Sequence, residues 1–183
     1  MKTVFFDIDT QIDFLYPAGA LYVPGAERIV PIIAKLNRAA ALLVSTMDAH
    51  TEDDPEFQIY PHHCVAGTLG QHKPGETLLE NSAMLDVGSE ARQFILEKQK
   101  LDCFTNPHLR PRLLEWNADR YVVYGVATEI CVRCAAFGLL KTGKRIEIVT
   151  DAIRPLNDVD SQNMLGAFTA AGGYLIRAAD VLS

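Results

Sequence analysis

Long hydrophobic runs are missing from this 183-residue chain; its longer apolar stretches, such as Ala39 to Val44, fall far short of the ~20 residues that cross a bilayer. No membrane partner is expected. A basic excess is missing too: 17 lysines and arginines face 23 aspartates and glutamates, a formal net charge of −6. A nucleic-acid surface needs clustered cations against phosphate, so no nucleic-acid partner is expected. Repeats, low-complexity tracts and linkers are absent, and Met1-Lys2-Thr3-Val4 enters strand-like sequence without a signal-peptide cleavage region. The expectation is one cytoplasmic domain over residues 1–183. Cysteine is sparse, and Cys64, Cys103, Cys131 and Cys134 should be reduced in that setting. Cys131 and Cys134 form a C-x-x-C, but it lacks a thioredoxin-type context and a second pair for a zinc cluster. Cys134 therefore reads as a helix-face packing residue.

What the chain has is alternation. Apolar, mostly β-rich stretches at Val4 to Ile8, Leu42 to Thr46, Phe94 to Leu96, Tyr121 to Tyr124, Ile146 to Val149 and Tyr174 to Ile176 read as strands. Helical patterns fall at Ala26 to Ala39, Pro111 to Trp116, Glu129 to Lys141 and Ser161 to Ala171. Short strands without polar alternation imply a sheet covered on both faces, hence an α/β three-layer sandwich with a mostly parallel sheet. Ligands of such sheets bind beyond the carboxyl ends of the strands. Thr51 to Glu80 is polar, rich in Pro and Gly, and long for a loop, which marks it as functional.

Gly125-Val126-Ala127-Thr128-Glu129-Ile130-Cys131 follows the Tyr121 to Tyr124 strand directly and puts a thiol in the first turn of a helix, with Thr128 as a candidate N-cap and Gly143 closing the helix. The positive end of the helix favours thiolate, and nearby free N–H groups can hold an oxyanion. Asp7, Asp9 and Asp13 cluster at the end of the first strand. Asp7-Ile8-Asp9 fits half of a phosphohydrolase D-x-D nucleophile motif, but Gln11 stands where Thr or Val belongs and no downstream acidic metal pair follows. Asp13 reads as a turn or cap carboxylate. Asp48-Ala49-His50, followed by Glu56, Tyr60 and His62-His63-Cys64, offers carboxylate and imidazole donors suited to Zn²⁺, Mn²⁺ or Fe²⁺.

Together these stretches resemble the isochorismatase-like cysteine hydrolases, whose nicotinamidase-like members are amidohydrolases. The carrying motifs are G-V-x-T-x-x-C at Gly125 to Cys131, D-x-Q-x-D-F at Asp9 to Phe14, the Val23-Pro24-Gly25-Ala26 helix entry, and D-x-H with a later H-C at Asp48, His50, His63 and Cys64. The resemblance implies Cys131 as nucleophile, Asp9 as general base and a cis peptide between Val126 and Ala127 that turns an N–H toward the substrate. It also implies a triad lysine: spacing to Phe104 points to Lys98, with Lys100 the alternative. Asp48, His50 and His63 map onto metal ligands, with Glu56 at a variable ligand position and zinc the expected ion. Phe14 and Tyr60 would flank a flat substrate. Ala49 departs from the family's aromatic, Asp102-Cys103 from its S-A pair, and Asp7 from its usual apolar residue. The expected activity is hydrolysis of a small carboxamide by a homo-oligomer, the alternatives being a metal-free hydrolase or a non-catalytic binding member of the fold.

Overall fold

In the computed structural model, which describes residues 1–86 and 90–182, strands are β1 (Thr3–Ile8), β2 (Leu43–Asp48), β3 (Ser82–Met84), β4 (Gln93–Lys98), β5 (Arg120–Val126), β6 (Arg145–Arg154) and β7 (Tyr174–Ile176). Ser183, at the end of the predicted domain, lies outside the described residues. Helices are α1 (Ile12–Leu15), α2 (Val30–Ala39), α3 (Leu109–Trp116), α4 (Arg133–Leu140), α5 (Asp158–Ala170) and α6 (Ala179–Leu182). All strands pair in parallel in one seven-stranded sheet of order β3-β4-β2-β1-β5-β6-β7. Among the described residues, no helix is long and apolar enough to cross a membrane.

The sheet is apolar on both sides because helices cover both sides. In β1, Phe5 and Asp7 face α2, where Phe5 meets Tyr124 edge to face and Asn37 reaches Asp7. Phe6 points the other way onto Tyr121, toward the layer holding α3 and α4. In that layer Phe137 of α4 packs on Phe168 of α5, and Trp116 of α3 packs on Phe94 of β4. Helix α5 starts where Asn157 accepts hydrogen bonds from the Val159 and Asp160 N–H groups at 2.9 and 3.1 Å.

Strand order reverses at β1. The chain first builds outward from it through β2 toward β4, then returns to lay β5 on its other side. The crevice beyond the carboxyl ends at such a switch point is where open α/β sheets bind ligands.

Several boundaries differ from the predicted ones. The strand expected at Leu42 to Thr46 runs on to Asp48, and the one at Phe94 to Leu96 runs on to Lys98, so both end in charged residues at the crevice. The helix expected from Ala26 opens as a separate turn at Ala26–Arg28 before α2 begins at Val30. Edge strand β3 was not foreseen: Ser82-Ala83-Met84 is short and largely exposed, so it carries no apolar signature.

Candidate active site

Four neighbouring strands each deliver one chemical group to the crevice. In spatial order, β4 ends in Lys98, β2 ends in Asp48, β1 leads into Asp9, and β5 leads through Gly125 to Cys131. Asp48 and Lys98 are direct register partners across β2 and β4. Gly125 of β5 pairs with Ile8 of β1: its φ is +120°, and a Cβ there would lie 2.1 Å from the Ile8 carbonyl oxygen. Only glycine fits. The Val126–Ala127 peptide is cis.

The turn carrying Cys131 is not the expected first turn of an α-helix. Thr128–Val132 winds as one π-helical turn before α4 begins at Arg133. Thr128 does not cap it: its hydroxyl is buried and makes no hydrogen bond, and Ala127 takes the flanking position. Glu129 instead secures the turn from outside, accepting from the Leu156 and Asn157 N–H groups at 2.9 and 2.7 Å.

Lys98 is the hub. Its ammonium lies 2.8 Å from Asp9 Oδ2, 2.5 Å from Asp48 Oδ1 and 3.8 Å from Cys131 Sγ, with no solvent exposure of the side chain. Lys100, two residues on, is exposed outside the crevice. Burial works against the Lys98 charge, but Asp9, Cys131 and Asp48 outweigh it and hold its pKa well above the ordinary value. Asp9 is fixed by Thr46, whose hydroxyl donates to Oδ1 at 2.5 Å and accepts the Asp9 N–H at 3.0 Å. Burial raises the Asp9 pKa, with Lys98 opposing. Burial also pushes the Cys131 thiol well up, against the pull of Lys98. Desolvation thus opposes the charge on the sulfur that Lys98 and the turn's N–H groups favour.

Beside this hub stands a second cluster. One ligand atom each from Asp48, His50 and His63 lies within 4.8 Å of the others. His50 Nε2 is buried with no hydrogen-bond partner, 3.8 Å from Asp48 Oδ2. An orphaned ring nitrogen facing a carboxylate and a second imidazole fits a divalent metal site. Burial disfavours charge on Asp48, yet Lys98 and His50 bring its pKa down to about 2. Burial likewise opposes the His50 imidazolium, but the Asp48 and Asp54 carboxylates lift it to about 8. Glu56 sits on the rim, 3.8 Å from His63 Nε2.

Sequence reasoning missed two supports of this cluster. Asp54 accepts from His50 Nδ1 at 3.0 Å and from the Glu56 N–H at 2.9 Å, orienting one donor directly and the other through its backbone. Its signal was present in Asp54-Pro55, a turn-opening pair four residues after His50. Phe57 packs its ring against His50 and His63. Asp13, as expected, is a turn carboxylate, taking the Ala20 and Cys64 N–H groups at 3.0 and 2.7 Å. Asp7 turns away from the crevice, so the Asp7-Ile8-Asp9 pair cannot act together on phosphate. Cys64, Cys103 and Cys134 are free, with thiol pKa values raised chiefly by burial.

Both clusters open into one small cavity, enclosing about 30 Å³ of solvent-accessible space. Phe14 and Tyr60 line it with Asp48, Glu56, His63 and Cys131, and Leu21, Val23, Leu101, Ile130 and Leu156 supply apolar wall. Outside it, a wider cleft of about 660 Å³ shares Tyr60, Ile130 and Leu156.

A small cavity at the switch point of this sheet, beside a buried Asp-Lys-Cys cluster, is the setting in which the relatives are to be compared. The family model for the isochorismatase domain matches residues 3–180, and the chain belongs to that family. Among relatives, the nicotinamidase of Escherichia coli is 24% identical, the alignment covering 94% of this chain and 93% of the other. The pyrazinamidase of Pyrococcus horikoshii, solved in complex with zinc, superposes with a TM-score of 0.82 at 27% identity, covering 97% of this chain and 99% of the other. N-carbamoylsarcosine amidase from Thermoplasma acidophilum gives a TM-score of 0.79 at 27% identity, with 97% of each chain covered.

Proposed function

We propose that the protein is a nicotinamidase-like cysteine amidohydrolase that cleaves the C–N bond of a small, uncharged carboxamide. The observation that carries this reading is Lys98 Nζ within 2.8 Å of Asp9 and 3.8 Å of Cys131 Sγ, beside a cavity lined by that sulfur. The amide-hydrolysing relatives support the reaction class.

Asp9 accepts the Cys131 proton as the sulfur attacks the amide carbon. Its raised pKa makes it both an acceptor here and a donor later. Lys98 holds the two groups in register and stabilises the thiolate as it forms. The N–H groups of Ala127 and Cys131 receive the oxyanion. When the C–N bond breaks, Asp9 returns the proton to the leaving ammonia and a thioester remains on Cys131. Water, deprotonated by Asp9, adds to the thioester; the acid departs and the thiol is restored. Asp48, His50 and His63 would hold a divalent metal, with Glu56 beside them, and zinc suits the mixed N/O donor set. Bound there, it would supply a positive charge that anchors a ring heteroatom or a water.

The cavity wall supports an uncharged substrate. Its polar side chains include the carboxyl groups of Asp48 and Glu56, and no lysine or arginine lines it among the described residues. A carboxylate-bearing substrate would be desolvated in a wall that offers it no lysine or arginine partner among the described residues. Phe14 and Tyr60 give a flat acyl group aromatic contacts of about 0.5–1.5 kcal/mol each. An ammonia-release panel of nicotinamide, pyrazinamide, short aliphatic amides and N-carbamoyl amino acids tests this. Turnover of the neutral aromatic amides is expected, and preference for the carbamoyl acids would overturn the substrate assignment. A cytoplasmic homo-oligomer belongs to the same reading, and sedimentation velocity checks the assembly.

A further inference from the structure

Asp7 and Asp9 are separated by one residue, yet their carboxylates serve different places. Asp7 is fully buried on the α2 side of β1. Its Oδ1 accepts from Thr10 Oγ1 at 2.6 Å, and its Oδ2 from Asn37 Nδ2 at 3.1 Å, Ser45 Oγ at 3.2 Å and Lys73 Nζ at 3.3 Å. Lys73 also donates to Thr10 Oγ1 at 2.8 Å, and neither charged side chain has any solvent exposure. The proposed reaction uses neither residue.

A buried ion pair seldom stabilises a fold more than a well-packed apolar pair; its best-attested use is to fix register. Here it joins two stretches 66 residues apart. Lys73 lies on the returning limb of the polar segment between β2 and β3, whose outer part carries Asp54, Glu56, Tyr60 and His63. That limb is laced to residues 10–13 at successive points. Cys64 N–H donates to Asp13 at 2.7 Å, Gln11 Nε2 donates to the Gln71 carbonyl at 2.8 Å, and Ile12 N–H donates to the His72 carbonyl at 2.8 Å. Lys73 to Thr10 and Asp7 is the inner end of this seam, and there it joins opposite full charges.

We infer that Lys73, paired with Asp7, is a positioning residue: it latches the returning limb to β1 in the register that brings Glu56, Tyr60 and His63 to the cavity wall. Its effect on turnover rests on the proposed amide hydrolysis; its effect on the segment does not. Removing it releases the substrate and metal wall while leaving Cys131, which hangs from the sheet, where it is.

The test compares Lys73→Met and the charge-free pair Asp7→Asn/Lys73→Met with the full-length parent. Hydrogen exchange at the Tyr60, Cys64 and Ala66 amides should quicken about tenfold or more in both variants. Zinc binding by chelator competition should weaken about tenfold, as when an outer-shell support is lost. KM for the amide should rise with kcat little changed, and iodoacetamide should label Cys131 at the parent rate. Wild-type exchange in Lys73→Met overturns the latch. So does a double variant that regains both melting temperature and parental exchange, since the pair would then serve stability alone. If the single variant fails to fold, the double variant decides. A parent that hydrolyses no amide sinks the amide reading and leaves the exchange comparison to decide the latch.

Discussion

The two halves of this site are built by different physics. Lys98 and Asp48 end β4 and β2, and Asp9 and Cys131 follow just beyond β1 and β5, so backbone hydrogen bonding across these adjacent strands anchors the group. Glu56, Tyr60 and His63 ride on a long segment with little regular structure, held by side-chain bonds from Asp54, Asp13, Gln11 and Lys73. The first half is rigid by construction and suits bond making, which tolerates little misplacement. The second can vary without disturbing the sheet, and suits selection of what enters.

The contrast can be broken at each half in turn. Lys98→Met strikes the sheet-borne half, and kcat/KM should fall about 10³-fold, as when a preorganised electrostatic contact is removed. Labelling of Cys131 should change with it, because the ammonium 3.8 Å from the sulfur is gone. Asp54→Asn strikes the other half: metal affinity should drop about tenfold in a chelator competition, with Cys131 labelling unaltered.

Thr46→Val sharpens the account of Asp9. The carboxylate must be ionised to take the thiol proton, so kcat/KM should rise with pH along an acid limb above the usual carboxylate range, where burial sets the Asp9 pKa. The Thr46 hydrogen bond lowers that pKa, so its loss should move the limb to higher pH in a pH–rate profile. The smallest effect is reserved for a residue in neither half. Asn157→Ala removes the α5 cap and should cost about 1 kcal/mol in urea unfolding, with kcat retained.

How far the sequence could be read follows the same division. Apolar strands and the groups just after them announce themselves by position, which is why Asp9, Asp48 and Cys131 could be expected at one crevice, while the roles expected of them came from the family resemblance. Lys98 was favoured over Lys100 by spacing to Phe104; the register adds that β4 continues to residue 98 and pairs it with Asp48, while residue 100 is exposed. The Thr128 cap was misjudged because local preference suggested an ordinary helix start, whereas the chain winds a π turn there. Asp54, Phe57 and Lys73 were missed for a different reason. Their segment has no periodicity, and what each does depends on partners reached through the fold, in Lys73's case 66 residues away. Asp7 was visible as an oddity in an apolar strand, but its meaning lay in that partner.

The central claim is that the Cys131 sulfur forms and breaks the bond to the acyl carbon. Ammonia release from the best carboxamide, measured for Cys131→Ala beside the parent at matched folding, tests it most directly. The account predicts a loss of about 10⁴-fold or more in kcat, as when a nucleophile is deleted. Turnover within tenfold of the parent would contradict it.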